Sequence, residues 1–128
     1  MTGRCLVIDD SHAVRHVAGR VLARRGMLVN EAATAVDALA LCRLDMPDMI
    51  IVACSLPDMD TVEFIRTVSS IPVAARPLIC VLMVRFDLPT LLRCRRAGAR
   101  AHLMKPFTIA QMDARLDEIE AERVARAA

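Results

Sequence analysis

The sequence predicts an α/β fold in which helices cover both faces of a parallel sheet. Five short apolar runs alternate along the chain with five segments whose apolar residues recur at helical spacing. Two of those runs are apolar at nearly every position, as in strands buried on both faces. The 128 residues allow one domain, 1–128. With 55% hydrophobic and 25% charged residues, the composition excludes a disordered chain.

The first half of the chain predicts three strands and two helices. The strands are residues 5–8, 27–30 and 49–52. Ser11 and Thr34 precede the two helices and can cap their first turns, and Gly26 ends the first helix. We expect apolar helix faces made of Val14, Val17, Ala18, Val21 and Leu22, and then of Val36, Leu39, Ala40 and Leu41.

The second half predicts three helices and two strands. A helix over residues 60–69 turns Val62, Phe64 and Ile65 inward. Strand 78–83, a helix around 88–97 ended by Gly98, and strand 101–104 follow. Thr108 and Gln111 form a capping box at the start of the last helix. Its apolar stripe is Ile109, Met112, Leu116 and Ile119.

The five cysteines are odd in number, widely spaced and mostly set among apolar residues. This pattern favours buried thiols in a reducing compartment over a disulfide framework or a zinc site. The first residues lack the apolar core of a signal peptide, and no apolar run is long enough to span a bilayer. We expect a cytoplasmic protein with no membrane partner.

The net charge of +2 conceals a strongly basic third of the chain. Residues 64–112 contain seven Arg and one Lys against Asp87 alone. Sixteen of the seventeen basic residues are Arg, whose planar fork suits phosphates and guanine edges. With three Phe, no Tyr and no Trp, the composition disfavours an RNA-binding sheet built on aromatic stacking.

Five short motifs in order resemble the receiver domain of bacterial response regulators, the CheY-like family, over roughly residues 4–120. They are Asp9-Asp10-Ser11, Pro47-Asp48, Leu56-Pro57-Asp58-Met59-Asp60, Ala97-Gly98-Ala99 and Lys105-Pro106-Phe107. The resemblance implies a flavodoxin-like fold, a five-stranded parallel sheet of order 2-1-3-4-5 flanked by five helices. It also implies a role in two-component signal transduction.

The chain departs from this family at the phosphorylation site. The family transfers a phosphoryl group to an Asp at the end of strand three, and that position is Ala53, which has no oxygen to attack phosphorus. Met83 stands where the family has Ser or Thr, and His102 replaces the switch aromatic. Cys54 and Ser55 lie near the lost site without taking its place. The resemblance therefore implies a receiver that is not phosphorylated.

Asp9, Asp10 and Lys105 keep the family's identity. In the family the acidic pair helps to hold Mg²⁺, an ion that demands six oxygens, so two carboxylates supply too few ligands. We expect no metal, and a structural remnant in which Lys105 neutralises the pair. His12 and His16 could share a metal, but no third ligand stands at suitable spacing, which favours a solvated helix face.

The Arg-rich segment, residues 85–100, is the strongest functional signal. Its five arginines are Arg85, Arg93, Arg95, Arg96 and Arg100. A solvated helix face normally places acids four residues away, but Pro89, Leu91 and Leu92 occupy those positions. We expect Arg96 to face Arg100 at the helix end. Such repulsion argues for an anionic partner.

The start of this segment offers three groups that suit guanine. Arg85 can donate twice to O6 and N7, Asp87 can accept from the Watson–Crick edge, and Phe86 can stack on the base. A small guanine nucleotide with more than one phosphate fits these groups. The segment is small for a duplex interface of ~1,000 Å² or more, so nucleic acid is not the expected partner.

The Arg-rich segment is similar to that of the Cle family, CheY-like cyclic-di-GMP effectors. The resemblance implies that the five arginines contact phosphates and guanines, with Asp87 reading a base edge and Phe86 stacking. It implies ligand-gated docking through the face of helix four, strand five and helix five, on the flagellar motor switch, with a role in motility and chemotaxis.

Other functions remain open. A constitutive adaptor would dock the basic face on a histidine kinase or another signalling protein without a small ligand. Non-specific nucleic-acid binding would show steep salt dependence. We do not expect an enzyme or a resident cofactor, because no nucleophile–base pair or metal constellation is evident.

Overall fold

Five parallel strands form one sheet in the order β2-β1-β3-β4-β5, as predicted. The computed structural model describes residues 3–127. The strands are β1 Arg4–Ile8, β2 Leu28–Ala32, β3 Met49–Ala53, β4 Leu78–Met83 and β5 Ala101–Met104. The helices are α1 His12–Arg24, α2 Ala35–Leu44, α3 Thr61–Ser70, α4 Leu88–Ala97 and α5 Ile109–Ala127.

The strand register brings the ends of four strands to one edge of the sheet. Ile8 pairs with Val52, and Ala53 pairs with Leu82. At the other side Met83 pairs with Met104. The residues that directly follow β1, β3 and β5 therefore meet at the carboxyl edge of the sheet, where α/β folds place their sites.

Two apolar cores flank the central strand β3, which is buried at every residue. On one face α1 and α5 pack through Leu22, Met112 and Leu116. On the other face α2, α3 and α4 contribute residues such as Phe64 and Leu91. Burying each large side chain stabilises the fold by ~1.5–3 kcal/mol, so this double layer holds the sheet edge in place.

The predicted helix starts are confirmed by their caps. Ser11 Oγ accepts from the Val14 amide at 3.3 Å, and Thr34 Oγ1 accepts from the Asp37 amide at 3.2 Å. The predicted capping box is also present, since Thr108 and Gln111 exchange side-chain to backbone bonds at 2.8 and 3.1 Å. Val62, Phe64 and Ile65 are buried as expected.

Two local predictions were wrong. Strand β2 begins at Leu28, because the Met27 amide donates to the Leu22 carbonyl at 3.1 Å and closes α1. Helix α2 exposes Val36, at 61%, and Ala40. Its buried face is Ala35, Ala38, Leu39 and Cys42. The buried face therefore includes the small residues Ala35 and Ala38 and leaves Val36 in solvent, and of the predicted residues only Leu39 is fully part of it.

All five cysteines are free, and four of them are buried. Burial raises the pKa of the Cys42 thiol to about 11 and that of Cys80 to about 12. These thiols are protonated at neutral pH, which fits the predicted buried, unreactive role. Within residues 3–127, no helix combines the length and apolar character that crossing a membrane requires.

Candidate functional site

The acidic group at the carboxyl edge is Asp9, which is fully buried. Its Oδ2 accepts from Lys105 Nζ at 2.6 Å, and its Oδ1 accepts from the Ser11 amide at 2.9 Å. The Lys105 amide donates to the Met83 carbonyl at 2.8 Å, which holds the lysine backbone beside β4. Asp10 is exposed. The lysine therefore neutralises Asp9 and not the pair as a whole.

Arg15 completes this edge and was not predicted from the sequence. Its Nη1 donates to the Asp9 carbonyl at 2.7 Å, and its Nε donates to Glu31 at 3.0 Å. The guanidinium thereby ties α1 to the ends of β1 and β2. Its place one turn after Ser11 was a possible signal, but spacing alone does not show that the side chain turns back over the sheet.

Ala53 ends β3 and is buried. Its methyl group offers no nucleophile, and its carbonyl accepts from the buried Thr61 hydroxyl at 2.7 Å. Met83, which ends β4, is also buried and apolar. The last residues of β3 and β4 therefore carry side chains without an oxygen atom.

The residues at this edge do not fit Mg²⁺. Asp9 is already bound to Lys105, and Asp10 is the second carboxylate. Across residues 3–127, no three His, Cys, Asp or Glu side chains converge in a way that could hold a metal ion. His12 and His16 lie on the exposed surface of α1 with their rings stacked, 6.2 Å between centroids.

The Arg-rich segment spreads around α4 instead of forming one cluster. Arg85 follows β4 at the carboxyl edge, whereas Arg100 precedes β5 at the amino edge, where its amide donates to the Ile79 carbonyl at 2.8 Å. The helix between them is ~15 Å long. We predicted that Arg96 faces Arg100 at the end of the helix. This prediction was wrong, because α4 ends at Ala97 and Arg100 lies beyond it.

The three helical arginines point to different sides of α4. Leu91 and Cys94 form the buried side of the helix. At 100° per residue, Arg95 flanks this buried side while Arg93 and Arg96 project towards solvent. All three side chains are exposed. Only Arg95 therefore borders the neighbouring strand β5.

None of the five segment arginines forms an ion pair or a side-chain hydrogen bond with any residue in the range 3–127. The arginines that do form ion pairs lie elsewhere and are Arg4, Arg15, Arg25, Arg115 and Arg123. The acid within the segment, Asp87, directly precedes α4, and its side chain accepts from the Thr90 hydroxyl and from no backbone amide of the helix. The segment thus carries an uncompensated positive surface.

A groove of about 640 Å³ lies between β5 and α5, next to α4. Its lining includes Arg95, His102, Phe107, Arg115, Glu118 and Glu122. Arg115 Nε donates to the His102 carbonyl at 2.9 Å, and its Nη1 lies 3.1 Å from Glu118. Arg115 was not predicted from the sequence, because the acids around it on α5 resemble an ordinary solvated face.

His102 connects this groove to the start of the Arg-rich segment. The Phe86 ring, 53% exposed, packs against the imidazole with 5.6 Å between centroids and 56° between planes. His102 Nδ1 is buried without a hydrogen-bond partner in the described chain. Burial lowers the pKa of His102, and the positive charges of Arg115 and Arg95 lower it further.

Comparison with known proteins places this geometry in a family. Residues 5–117 match the response regulator receiver domain. The KDP operon transcriptional regulatory protein KdpE of Escherichia coli is 36% identical over 114 residues, which cover 87% of this chain and 48% of that protein. KdpE of Staphylococcus aureus is 30% identical over 123 residues, covering 94% of this chain and 51% of that protein. The chain therefore spans about half the length of these two curated relatives.

A solved structure agrees with this match. The chemotaxis response regulator CheY4 of Vibrio cholerae has a TM-score of 0.85 and 25% sequence identity, covering 93% of this chain and 99% of that one. Sporulation initiation phosphotransferase F of Bacillus subtilis is 26% identical, over 85% of this chain and 86% of that protein. The CheY-like resemblance is confirmed, and the chain belongs to the response regulator receiver domain family.

Proposed function

We propose that this receiver domain acts in signalling without phosphorylation and binds cyclic-di-GMP through its Arg-rich segment. Two features support the proposal. The end of β3 holds the methyl group of Ala53, and the cation of Lys105 is already bound to Asp9. A signal other than a phosphoryl group must then control the domain, or the domain must act constitutively.

The observation that carries the proposal is the contrast between two sets of arginines. Five arginines elsewhere pair with carboxylates, whereas the five of the Arg-rich segment pair with none among residues 3–127. Six arginines outside the segment are also without an ion pair in that range, but the segment gathers five within residues 85–100 with Asp87 as the one acid. Uncompensated like charges repel one another and destabilise the surface that carries them. A ligand with two phosphates offers charge-assisted hydrogen bonds to guanidinium groups and removes that repulsion.

We propose that the ligand site lies in the part of the segment around His102. Phe86 packs on His102, and Arg95 borders the same groove. Arg85 adjoins Phe86, while Arg100 lies at the other end of α4. We assign base stacking to Phe86 and phosphate or guanine contacts to Arg85 and Arg95. Arg93, Arg96 and Arg100 then contribute charge around the site.

Asp87 has a more limited role in this proposal than its sequence position implies. Its carboxylate accepts from the Thr90 hydroxyl at the start of α4. The Thr90 hydroxyl takes one of the about four lone-pair sites of the Asp87 carboxylate, and the remaining sites can accept from a guanine edge. Asp87 thus holds Thr90 and contacts the base with its remaining sites.

Ligand binding at this place would control docking. Exposed apolar side chains lie beside the proposed site and are Val84, Leu88, Leu92 and Met104. They share the face of α4, β5 and α5 that the receiver resemblance assigns to partner proteins. By neutralising the arginines, cyclic-di-GMP would favour the docking-competent state, with the flagellar motor switch as the proposed partner and motility as the output.

A constitutive adaptor is the second candidate, and those exposed apolar side chains favour it. Val84, Leu88 and Leu92 recur at four-residue intervals among the arginines. Such a surface could dock an acidic partner, such as a histidine kinase, with no small ligand. The two functions differ in one measurable property, because only the effector requires cyclic-di-GMP for partner binding.

The test is calorimetric titration of the purified chain with cyclic-di-GMP. We expect binding that the Arg95→Ala/Arg96→Ala variant weakens at least about tenfold, or ~1.4 kcal/mol. The matched control is Arg20→Ala/Arg24→Ala, which removes two equally exposed arginines from α1. The absence of heat with the parent chain, or equal loss in both variants, would refute the proposal.

A further inference from the structure

The outer side of α2 carries an apolar stripe that faces solvent. Val36, Ala40 and Leu44 follow one another at four-residue intervals, and Val36 and Leu44 are 61% and 84% exposed. At about 100° per residue, these side chains lie within about 40° of one line along the helix. That line is opposite the buried side, which Ala38 and Cys42 mark. We call these three residues the α2 stripe.

The sequence of α2 has nearly the same chemical character when it is read outward from its centre in either direction. Starting at Ala40, the two directions give Leu and Leu, then Ala and Cys, then Asp and Arg, and then Val and Leu. A twofold axis at this centre brings each position of one copy against its counterpart on another. We propose that two copies of this chain associate through α2, with the helices antiparallel and Ala40 at the crossing point.

The charges beside the stripe have complementary places in such a pair. Asp37 and Arg43 lie ~4.5 Å before and after Ala40 along the helix, so the twofold axis sets Asp37 of each copy level with Arg43 of the other. Neither side chain forms an ion pair within residues 3–127. The positions four residues before and after each of them are apolar. A second copy therefore offers each charge the partner that its own chain does not supply.

The stripe is preformed, because side chains from other elements hold both ends of α2. Asp58 accepts from the amides of Ala35 and Val36, at 2.9 Å each. At the other end, Arg4 Nη2 lies 2.9 Å from the carboxylate of Asp45, the residue after the helix. A surface that is already ordered loses little conformational entropy on association.

The small residue at the centre permits close contact. An exposed alanine at the crossing point lets two helix axes approach to ~8 Å. Val36 and Leu44 lie ~6 Å to either side of Ala40 along the helix, so Val36 of each copy lies beside Leu44 of the other. The contact covers about three turns of one helix and is smaller than an interface of ~1,200 Å². We therefore expect a weak and reversible dimer.

The α2 stripe is separate from the Arg-rich segment. Helix α3 packs against both α2 and α4, so it stands between the stripe and the helix that carries the segment arginines. A dimer formed through α2 leaves the Arg-rich segment of each copy free. This inference does not depend on cyclic-di-GMP binding, and its test contains no nucleotide.

The test is sedimentation equilibrium of the full chain between about 10 µM and about 1 mM, the range in which a weak interface associates. We expect the average mass to rise with concentration from that of one chain towards that of two. Leu44→Glu places a carboxylate in the stripe and should keep the chain monomeric. The matched control is Val124→Glu, which changes an exposed apolar residue of α5 and should associate as the parent does.

A mixing experiment tests the pairing of the charges. Asp37→Arg gives each copy two cations beside the stripe, and Arg43→Asp gives each copy two anions. Each variant alone should associate at least about tenfold more weakly than the parent. An equimolar mixture of the two should recover the association, because every charge then lies level with its opposite. Arg20→Asp, an exposed change on α1, controls for altered net charge and should associate as the parent does.

Circular dichroism identifies any charge variant that fails to fold, and Leu44→Glu then decides the proposal. A parent chain that stays monomeric at about 1 mM would overturn it. So would association that Leu44→Glu leaves unchanged, which would place the contact on another face. A mass that rises beyond two chains, or a mixture that associates no better than its two components, would contradict the twofold arrangement.

Discussion

The ammonium nitrogen of Lys105 lies 2.6 Å from a carboxylate oxygen of Asp9, which is fully buried. This ion pair joins the residue after β1 to the residue after β5, across the carboxyl edge of the sheet. We predict that Lys105→Met lowers the free energy of unfolding by about 3 kcal/mol, because it leaves a buried carboxylate without its partner. Urea denaturation measures the loss.

Two variants control for the removal of charge. Arg20→Met removes an exposed arginine of α1 and should change stability by less than about 0.5 kcal/mol. Asp9→Asn combined with Lys105→Met removes both charges and should cost less than Lys105→Met alone. A Lys105→Met chain as stable as the parent would show that the pair contributes no net stability.

Ala53 leads to a prediction about small phosphodonors. Its side chain is a buried methyl group, so incubation with acetyl phosphate and Mg²⁺ should leave the intact mass of the chain unchanged. A phosphorylatable receiver treated in parallel shows that the reagent works. The gain of one phosphoryl group, on Ser55 or any other residue, would contradict phosphorylation independence.

Gly98 ends α4 with a φ of 139°, and an added Cβ would lie 2.5 Å from Ser69 Oγ. We predict that Gly98→Ala destabilises the fold by about 1–3 kcal/mol, because both backbone strain and the contact oppose it. Gly19→Ala is the matched control, since its Cβ would find an ordinary contact 3.7 Å from Val29. This helical change should stabilise by about 0.5–1 kcal/mol. Thermal or urea unfolding that ranks the two variants in the opposite order would contradict the account.

The lowered pKa of His102 leads to a prediction about how the stability of the fold depends on pH. Burial, followed by Arg115 and Arg95, places its pKa below the usual value of 6.5, so the unfolded chain takes up a proton before the folded chain does. This contribution to stability is complete above the unfolded pKa and declines as the pH falls from there towards the folded pKa.

The measurement compares the parent with His102→Gln by urea denaturation between about pH 8 and about pH 5. We expect the parent to lose stability relative to the variant as the pH falls. Identical pH profiles for the parent and His102→Gln, or a parent that gains relative stability in acid, would rule out the imidazole as the source.

The fold could be predicted because the helix-capping residues and the spacing of apolar residues indicated the same helices and strands. Ser11, Thr34 and Thr108 mark helix starts, and the apolar run of β3 marks a central strand. The wrong predictions arose where the local sequence does not determine which side of an element is buried. Val36 is apolar but exposed, because tertiary packing sets which side of α2 faces the sheet. The helical spacing of apolar residues does not show that side.

The candidate site was predictable in part. The count of charged residues along the chain identified the Arg-rich segment. No acid stands four residues before its helical arginines, which indicated that these arginines lack ion-pair partners. The separation of Arg85 from Arg100 depends on where α4 lies against the sheet. Arg115 lies on α5, thirteen residues after His102, and the spacing alone does not show that its side chain turns back to the His102 carbonyl.

The most direct measurement of the central claim is an NMR titration of the ¹⁵N-labelled chain with cyclic-di-GMP. We predict amide shift changes concentrated on Arg85, Phe86, Arg95 and His102, with little change around Asp9. Saturable changes there, which require at least about tenfold more ligand in the Arg95→Ala/Arg96→Ala chain, are the expected result. A spectrum that does not change with ligand, or changes confined to residues outside the Arg-rich segment, β5 and α5, would contradict the assignment of this surface as the ligand site.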